Sequence, residues 1–213
     1  MESVLKRIRL HGFKTFAQRT EIDLEGHLTV LVGPNGCGKS NLVDALVWGL
    51  GEPNVRSLRA GSPTEVIFAG SSTQKPLGMA EVSLWFDNQS RWLPLDADEV
   101  QITRRLYRSG EWECWINKTP CRLKDVADLF AGTGLGRGGY AIIRQGEIEG
   151  FLAAAPEERR LWIEEAAGIA LYRHRRRETL RDLDSAHLHL QRVEDVLNEL
   201  EHQRAPLREE AER

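Results

Sequence analysis

The residues best suited to chemistry are Lys39 and Ser40, which close the stretch Gly33-Pro34-Asn35-Gly36-Cys37-Gly38-Lys39-Ser40. This is the G-x-x-x-x-G-K-S spacing of a phosphate-binding loop. Glycine at these places lets successive backbone N–H groups turn inward toward phosphate oxygens. The start of the helix that must follow adds a partial positive charge. Lys39 supplies a mobile ammonium for the β- and γ-phosphates, and the Ser40 hydroxyl is the expected Mg2+ ligand. Cys37 occupies a variable position of the loop and reads as a small filler. The spacing predicts nucleotide binding. It does not say which nucleotide, or what hydrolysis would drive.

Such a loop needs a strand before it and a helix after it. Leu28-Thr29-Val30-Leu31-Val32 is a short apolar, β-branched run and predicts a buried strand. Leu42, Val43, Leu46, Val47 and Leu50 share one face of the predicted helix, which Gly51-Glu52-Pro53-Asn54 ends. Upstream, Val4, Ile8 and Leu10 predict a strand with a turn at Gly12. Phe13–Phe16 and Thr20–Leu24 predict two more extended pieces. Residues 55–78 read as loop, interrupted by the apolar Val66-Ile67-Phe68-Ala69.

Residues 80–117 predict an antiparallel β unit made of Ala80–Phe86, Val100–Tyr107 and Glu113–Ile116. Its strands are joined at Asp87-Asn88 and at Ser109-Gly110. Four of the six tryptophans lie here: Trp85, Trp92, Trp112 and Trp115. Strand core is their expected use, with a base-stacking platform as the alternative. Lys124–Phe130 predicts a short helix. Gly132–Gly139 packs five glycines into eight residues without the strand–turn–helix frame of a dinucleotide site. Tyr140–Gln145 is strand-like and ends on a polar residue.

The chain has 213 residues, 41% of them hydrophobic and 29% charged, and a net charge of −3. Before Ala155 there are 18 basic and 18 acidic residues, and from Ala155 onward 11 and 14. Bulk charge therefore gives no reason to expect nucleic acid, and any DNA contact must use a local patch. No run of about 18 apolar residues exists, so no membrane span is expected. Met1–Arg7 lacks the apolar core of a signal segment. Cys37, Cys114 and Cys121 have no C-x-x-C spacing, which fits a reducing cytosol without a zinc site.

From Pro156 the character changes. Proline followed by Glu157-Glu158 starts a helix. Leu183, Leu190 and Leu197 are seven apart, and Ala186, Val193, Leu200 and Leu207 form a second series offset as a to d in a heptad. A long helix with one apolar stripe needs a partner, so residues 156–213 predict a neck helix entering a coiled coil. Pro206 is expected to kink or interrupt it. The basic run Arg173-His174-Arg175-Arg176-Arg177 has two readings, a DNA contact or a solvated helix surface paired with Glu178 and Asp182.

The whole pattern resembles the N-terminal head segment of the structural maintenance of chromosomes (SMC) family, bacterial type. Gly12-Phe13-Lys14-Thr15-Phe16 is similar to that family's N-terminal strand motif. Val32–Asn41 matches its P-loop, with Cys37 where serine is usual. Ser57-Leu58-Arg59, Ile67–Gly70, Pro120–Asp125, Gln145–Ile148, Pro156–Arg160 and Glu164–Gly168 follow in family order.

The resemblance implies an α/β fold: a P-loop NTPase of ABC type, present as the N-terminal lobe of the head (1–155) with its antiparallel β unit, then the neck helix and coiled coil (156–213). It implies ATP and Mg2+ as ligands, with Gly33, Pro34, Asn35, Gly36, Cys37, Gly38, Lys39, Ser40 and Asn41 around the nucleotide. Gln145 matches the Q-loop position, where a carboxamide can accept from a metal-bound water and donate to an attacking one. Arg59 matches the arginine-finger position, where a guanidinium offsets charge on the transferring phosphoryl group. Taken without the resemblance, Arg59 reads as a solvated loop arginine. Arg122 and Lys124 match DNA-contacting positions. Ser62 stands where that family usually has a third such residue, a lysine, which implies fewer phosphate contacts.

Implied partners are the C-terminal head lobe of the same protein, a second head, double-stranded DNA and a kleisin-type subunit, with a cytoplasmic, nucleoid-associated location and no membrane. A coiled-coil DNA-repair ATPase and, further off, an ABC transporter domain are the alternatives. Val82–Asp87 has the form of a strand ending in the Asp that completes a P-loop site. Asn88 rather than Glu follows, and a hairpin turn accounts for Asp-Asn. The chain then lacks a general base and predicts half a site.

Overall fold

The computed structural model describes residues 4–24, 26–136, 141–167 and 169–211. The chain falls into two compact units, Met1–Gly168 and Ile169–Arg213. The first is built on one six-stranded antiparallel sheet. Its strands are β1 (Leu5–His11), β2 (Thr20–Asp23), β3 (Met79–Asp87), β4 (Glu99–Tyr107), β5 (Trp112–Ile116) and β6 (Thr119–Cys121), in the order β2-β1-β3-β4-β5-β6. The helices are α1 (Lys39–Gly49), α2 (Leu123–Leu129), α3 (Glu147–Ala153) and α4 (Pro156–Ala166).

Alternation along the strands decides what the sheet buries. Ile8 and Leu10 on β1, Val82, Leu84 and Phe86 on β3, and Val100 and Ile102 on β4 all face the core. Helix α1 packs on β3 and β4. Gly49 permits this approach, because a Cβ there would lie 2.8 Å from the Leu84 methyl. The buried face of α1 is Leu42, Asp44, Ala45 and Trp48, while Val43, Leu46 and Val47 are only half-buried. The expected apolar face is thus rotated toward Trp48, whose ring meets Phe13 at 5.4 Å.

Arg104 ties the end of α1 to the sheet. Its Nη1 donates to the carbonyls of Trp48 (2.9 Å) and Glu52 (2.8 Å), and its guanidinium lies 4.6 Å from the Trp48 ring centre. Burial pushes this guanidinium down to about 10. A cation at the C-terminal carbonyls of a helix also complements the helix dipole.

The tryptophans depart from their expected use. Of the four in the β unit, only Trp92 packs against the core, beside Phe86 and Phe130. Trp85 and Trp115 lie on the other face of the sheet, with Arg9 4.7 Å and Arg105 4.9 Å from their ring centres. Strand alternation puts them there, and the cation–π contacts cover them. Trp112 is exposed. The connection between β3 and β4 is a loop, not a tight turn. Fully buried Asn88 organises it, donating to Leu95 and Ala97 carbonyls and accepting from the Leu93 N–H. Phe13–Phe16 is a turn closed by a Phe13–Phe16 bridge, with a second bridge from Phe13 to Ile67, in place of the expected extended piece.

Two predicted strands do not form. Residues 28–32 have no strand pairing, and Leu28, Val30 and Val32 are 83%, 69% and 90% exposed. Residues 141–145 are likewise unpaired, with Ile143 exposed; Tyr140, which begins that run, lies outside the described residues. A β-branched run is a strand only when a neighbour completes its ladder, and no described segment does so for either run.

The second unit is α5 (Ile169–Ala211), one helix of 43 residues. Pro206 does not interrupt it, since a proline removes a single N–H bond from a ladder that continues on both sides. Leu183, Leu190, Leu197, Val193 and Leu200 are all exposed. The same spacing runs back to exposed Ile169 and Tyr172. Of the basic run, only the Arg176 side chain is described, and it is exposed; the side chains of Arg173, His174, Arg175 and Arg177 lie outside the described set.

Candidate nucleotide-binding site

The loop from Gly33 to Gly38 leads straight into α1. Gly36 (φ 82°) and Gly38 (φ 102°) take the left-handed conformation that the bend requires. Gly38 is also tightly packed: a Cβ would lie 2.8 Å from the Thr15 hydroxyl. No side chain caps α1, and its first turn holds no acidic residue. Its leading N–H groups are therefore left for an anion. Lys39 folds over the loop, with Nζ donating to the carbonyls of Gly33 (2.6 Å) and Pro34 (2.7 Å) and lying 3.7 Å from Cys37 Sγ. Pro34, Asn35, Gly36, Cys37, Lys39 and Ser40 are exposed. The residues present fit a polyphosphate.

Behind the loop lies a network that sequence reading did not find. Asp44 is buried, and its Oδ2 accepts from Lys14 Nζ at 2.6 Å and from Arg59 Nη2 at 2.5 Å. Lys14 Nζ also donates to the Leu58 carbonyl. Asn41 donates to Thr15 Oγ1 (3.0 Å) and its Oδ1 lies 3.4 Å from Arg59 Nη2. Arg59 thus sits beside this chain's own P-loop helix as an ion-paired residue. The available signal was Asp44 itself, the one charged residue of α1 after Lys39, set among apolar neighbours from Leu42 onward.

Other expected residues are more dispersed. Gln145 is exposed in the turn before α3, and no hydrogen bond joins it to Ser40 or to the loop among the described residues. The segment before it is anchored near Arg59, because Arg144 Nη1 donates to the Ser57 carbonyl. Arg122 and Lys124 are both exposed at the start of α2, where the Arg122 N–H donates to Asp125 (2.7 Å). Ser62 bonds to Glu65 at 3.3 Å. Asp87 behaves as a turn residue. The Gln89 N–H donates to its carboxylate at 2.9 Å and Lys6 lies 3.2 Å away; together they hold it below the usual carboxylate range. No cluster of His, Cys, Asp and Glu able to hold a metal occurs among the described residues. No described helix is long and apolar enough to cross a membrane.

The sequence profile of the RecF/RecN/SMC N terminal domain matches residues 4–138, which carry both the loop and the sheet. The chain belongs to this family. Within the family it is similar to the chromosome partition protein Smc of Desulfitobacterium hafniense (strain Y51), with 51% identity over 97% of this chain and 17% of that protein. The chain therefore spans less than a fifth of that relative's length. Among solved structures, the Smc head domain with an extended coiled coil from Pyrococcus furiosus, bound to the C-terminal domain of ScpA, matches with a TM-score of 0.73. The identity is 35%, over 92% of this chain and 49% of that one. A chain solved in work on ATP-driven dimerization and DNA stimulated activation of SMC ATPases matches with a TM-score of 0.69 and 35% identity, over 76% of this chain and 99% of that one. The fold is that of an ABC-type SMC head segment, with a helix leading into a coiled coil.

Proposed function

We propose that this chain is the ATP-binding lobe of an SMC-type ATPase head, completed by a distant segment of the same protein. One observation carries the reading: a formed phosphate cradle occurs in a lobe with two apolar runs, 28–32 and 141–145, that have no strand partner among the described residues. Parallel neighbours of a P-loop strand arrive through long crossovers, so they need not come from nearby sequence. The C-terminal lobe of the protein is the source we assign. The exposed stripe on α5 makes the same demand, which an antiparallel coiled-coil strand from that region meets.

In this reading Gly33–Asn41 hold the triphosphate through loop N–H groups and the Lys39 ammonium. The Ser40 hydroxyl would help hold Mg2+, which would supply positive charge to offset that of the phosphates. Gln145 orients water, and Arg59 offsets charge on the transferring phosphoryl group. With Asp87 occupied as a turn residue and Asp44 paired, the acidic groups for metal and water come from outside residues 1–213. Two such heads engage around ATP. Arg122 and Lys124 meet DNA phosphates, and a kleisin-type subunit joins, as ScpA does for the Pyrococcus furiosus head. The work of the whole protein is chromosome organisation, condensation and segregation, in the cytoplasm on the nucleoid. The identity to Smc favours this over a repair ATPase of the same family.

Phosphate release tests the reading. Residues 1–213 at ATP-saturating concentration should show no turnover, and adding the C-terminal segment should switch on turnover that Lys39→Ala abolishes. Steady Lys39-dependent turnover by residues 1–213 alone would overturn the half-site reading and make Asp87 the missing carboxylate.

A further inference from the structure

Asp44 is a carboxylate that the phosphate chemistry above does not use. It sits one turn beyond Ser40 on α1, 3% exposed, and two cations meet on a single oxygen of it. The two differ in kind. Lys14, its side chain 11% exposed, packs against Asp44 and is also fixed by the Leu58 carbonyl, so this pair neutralises itself at the edge of the interior. Arg59 reaches the same oxygen from a side chain that is 56% exposed. A buried carboxylate already matched by an ammonium has no electrostatic need of a second cation. Two cations on one carboxylate leave the trio with one net positive charge, on the exposed Arg59 side.

Backbone geometry reinforces the placement. Arg59 has φ 57°, a strained value for a non-glycine residue, and it directly follows Leu58, whose carbonyl Lys14 holds. Its Nη2 is pinned between Asp44 and Asn41. A guanidinium carries five N–H donors in a rigid fork, so anchoring one nitrogen orients the rest.

We propose that Asp44 is the positioning residue of Arg59: the carboxylate, itself held by Lys14, fixes one guanidinium nitrogen beside Asn41 and leaves the other donors for the triphosphate. The inference rests on the reading of Arg59 as a phosphoryl-charge residue. Misplacing such a group by about 1 Å costs up to about 100-fold in rate.

The test is a double-mutant cycle in the full-length protein, reading kcat, KM, ATP affinity by titration calorimetry, and Tm. Asp44→Asn should lower kcat about 10-fold or more and change ATP affinity less than about 3-fold. Arg59→Ala should also lower kcat, and Asp44→Asn should then add nothing further. If Asp44→Asn does not fold, the pair Lys14→Gln/Asp44→Asn carries the same measurement, because it leaves no buried charge unmatched. Wild-type kcat in Arg59→Ala would overturn the arginine reading and this inference with it. A clear loss in Arg59→Ala to which Asp44→Asn adds its full factor would overturn the positioning role alone, as would an Asp44→Asn effect confined to Tm.

Discussion

The β unit and the nucleotide-side runs are made of similar residues and end in opposite states. Val82, Leu84 and Phe86 of β3 are buried between two antiparallel neighbours, whereas Val30 and Val32 lie exposed beside the phosphate loop. Composition does not separate them; access to a ladder partner does. From β3 to β6 each strand pairs with the next in sequence, so this half completes its own ladder. The run at 28–32 leads directly into the phosphate loop, and neither it nor 141–145 has a strand partner among the described residues. The strand ladder and the phosphate loop share one core through α1, and they differ in whether their apolar runs find a ladder partner.

Hydrogen exchange gives the largest expected contrast. Amides of 28–32 and of Ile142 and Ile143 should exchange close to the free rate in residues 1–213, and β3 and β4 amides should be protected. Adding the C-terminal segment should slow the exposed runs on the order of 1,000-fold, since opening a paired strand costs about 4 kcal/mol. Equal protection with and without that segment would remove the distinction.

Lys39→Ala should weaken ATP binding on the order of 100-fold or more, from charge-assisted contacts worth about 1.5–3 kcal/mol each. It should leave Tm unchanged, because the Lys39 contacts stay within the loop. Wild-type affinity in a folded variant would sink the loop assignment, and a large fall in Tm would show that the Lys39 contacts also hold the fold.

One thiol in each region makes a smaller contrast. Burial pushes Cys114 on β5 up to about 11, whereas Cys37 is exposed in the loop. Thiolate is the reactive form, so iodoacetamide at pH 8 should modify Cys37 at least about 10-fold faster, and ATP should protect it. The Cys114 contribution to stability is full below its ordinary value of 9.0 and is lost as pH rises toward 11, because only the unfolded thiol ionises freely in that window. A Cys114→Ala variant should flatten that part of the pH–stability curve.

The smallest effect concerns DNA. Arg122→Ala and Lys124→Ala should each lower the log–log salt slope of binding by about 0.9, uniformly across sequences. An unchanged slope would take α2 out of the DNA surface.

Much of the closed half was legible in the sequence. Ala80–Phe86, Val100–Tyr107 and Glu113–Ile116 all fall within observed strands, because two-residue alternation is a local signal. Strand β6 was missed because its turn, Asn117-Lys118, places two non-glycine residues at φ 48° and 66° without the glycine that usually announces such a hairpin. The P-loop and the start of α1 were legible for the same local reason. The Lys14–Asp44–Arg59 network was not, and neither was Arg104 on the Trp48 and Glu52 carbonyls. These contacts join residues 15 to 56 positions apart, and no periodicity reports them.

The sequence by itself determined the phosphate loop, the alternating strands β3, β4 and β5 and the heptad stripe, since each depends on spacings of two to eight residues that backbone geometry converts directly into structure. The tertiary structure alone decided which apolar runs become strands, which tryptophans are buried, and that Arg59 is held by a buried carboxylate. Each of those outcomes depends on what lies across space from a residue, and pairing, burial and charge compensation are properties of two partners rather than of one stretch of chain.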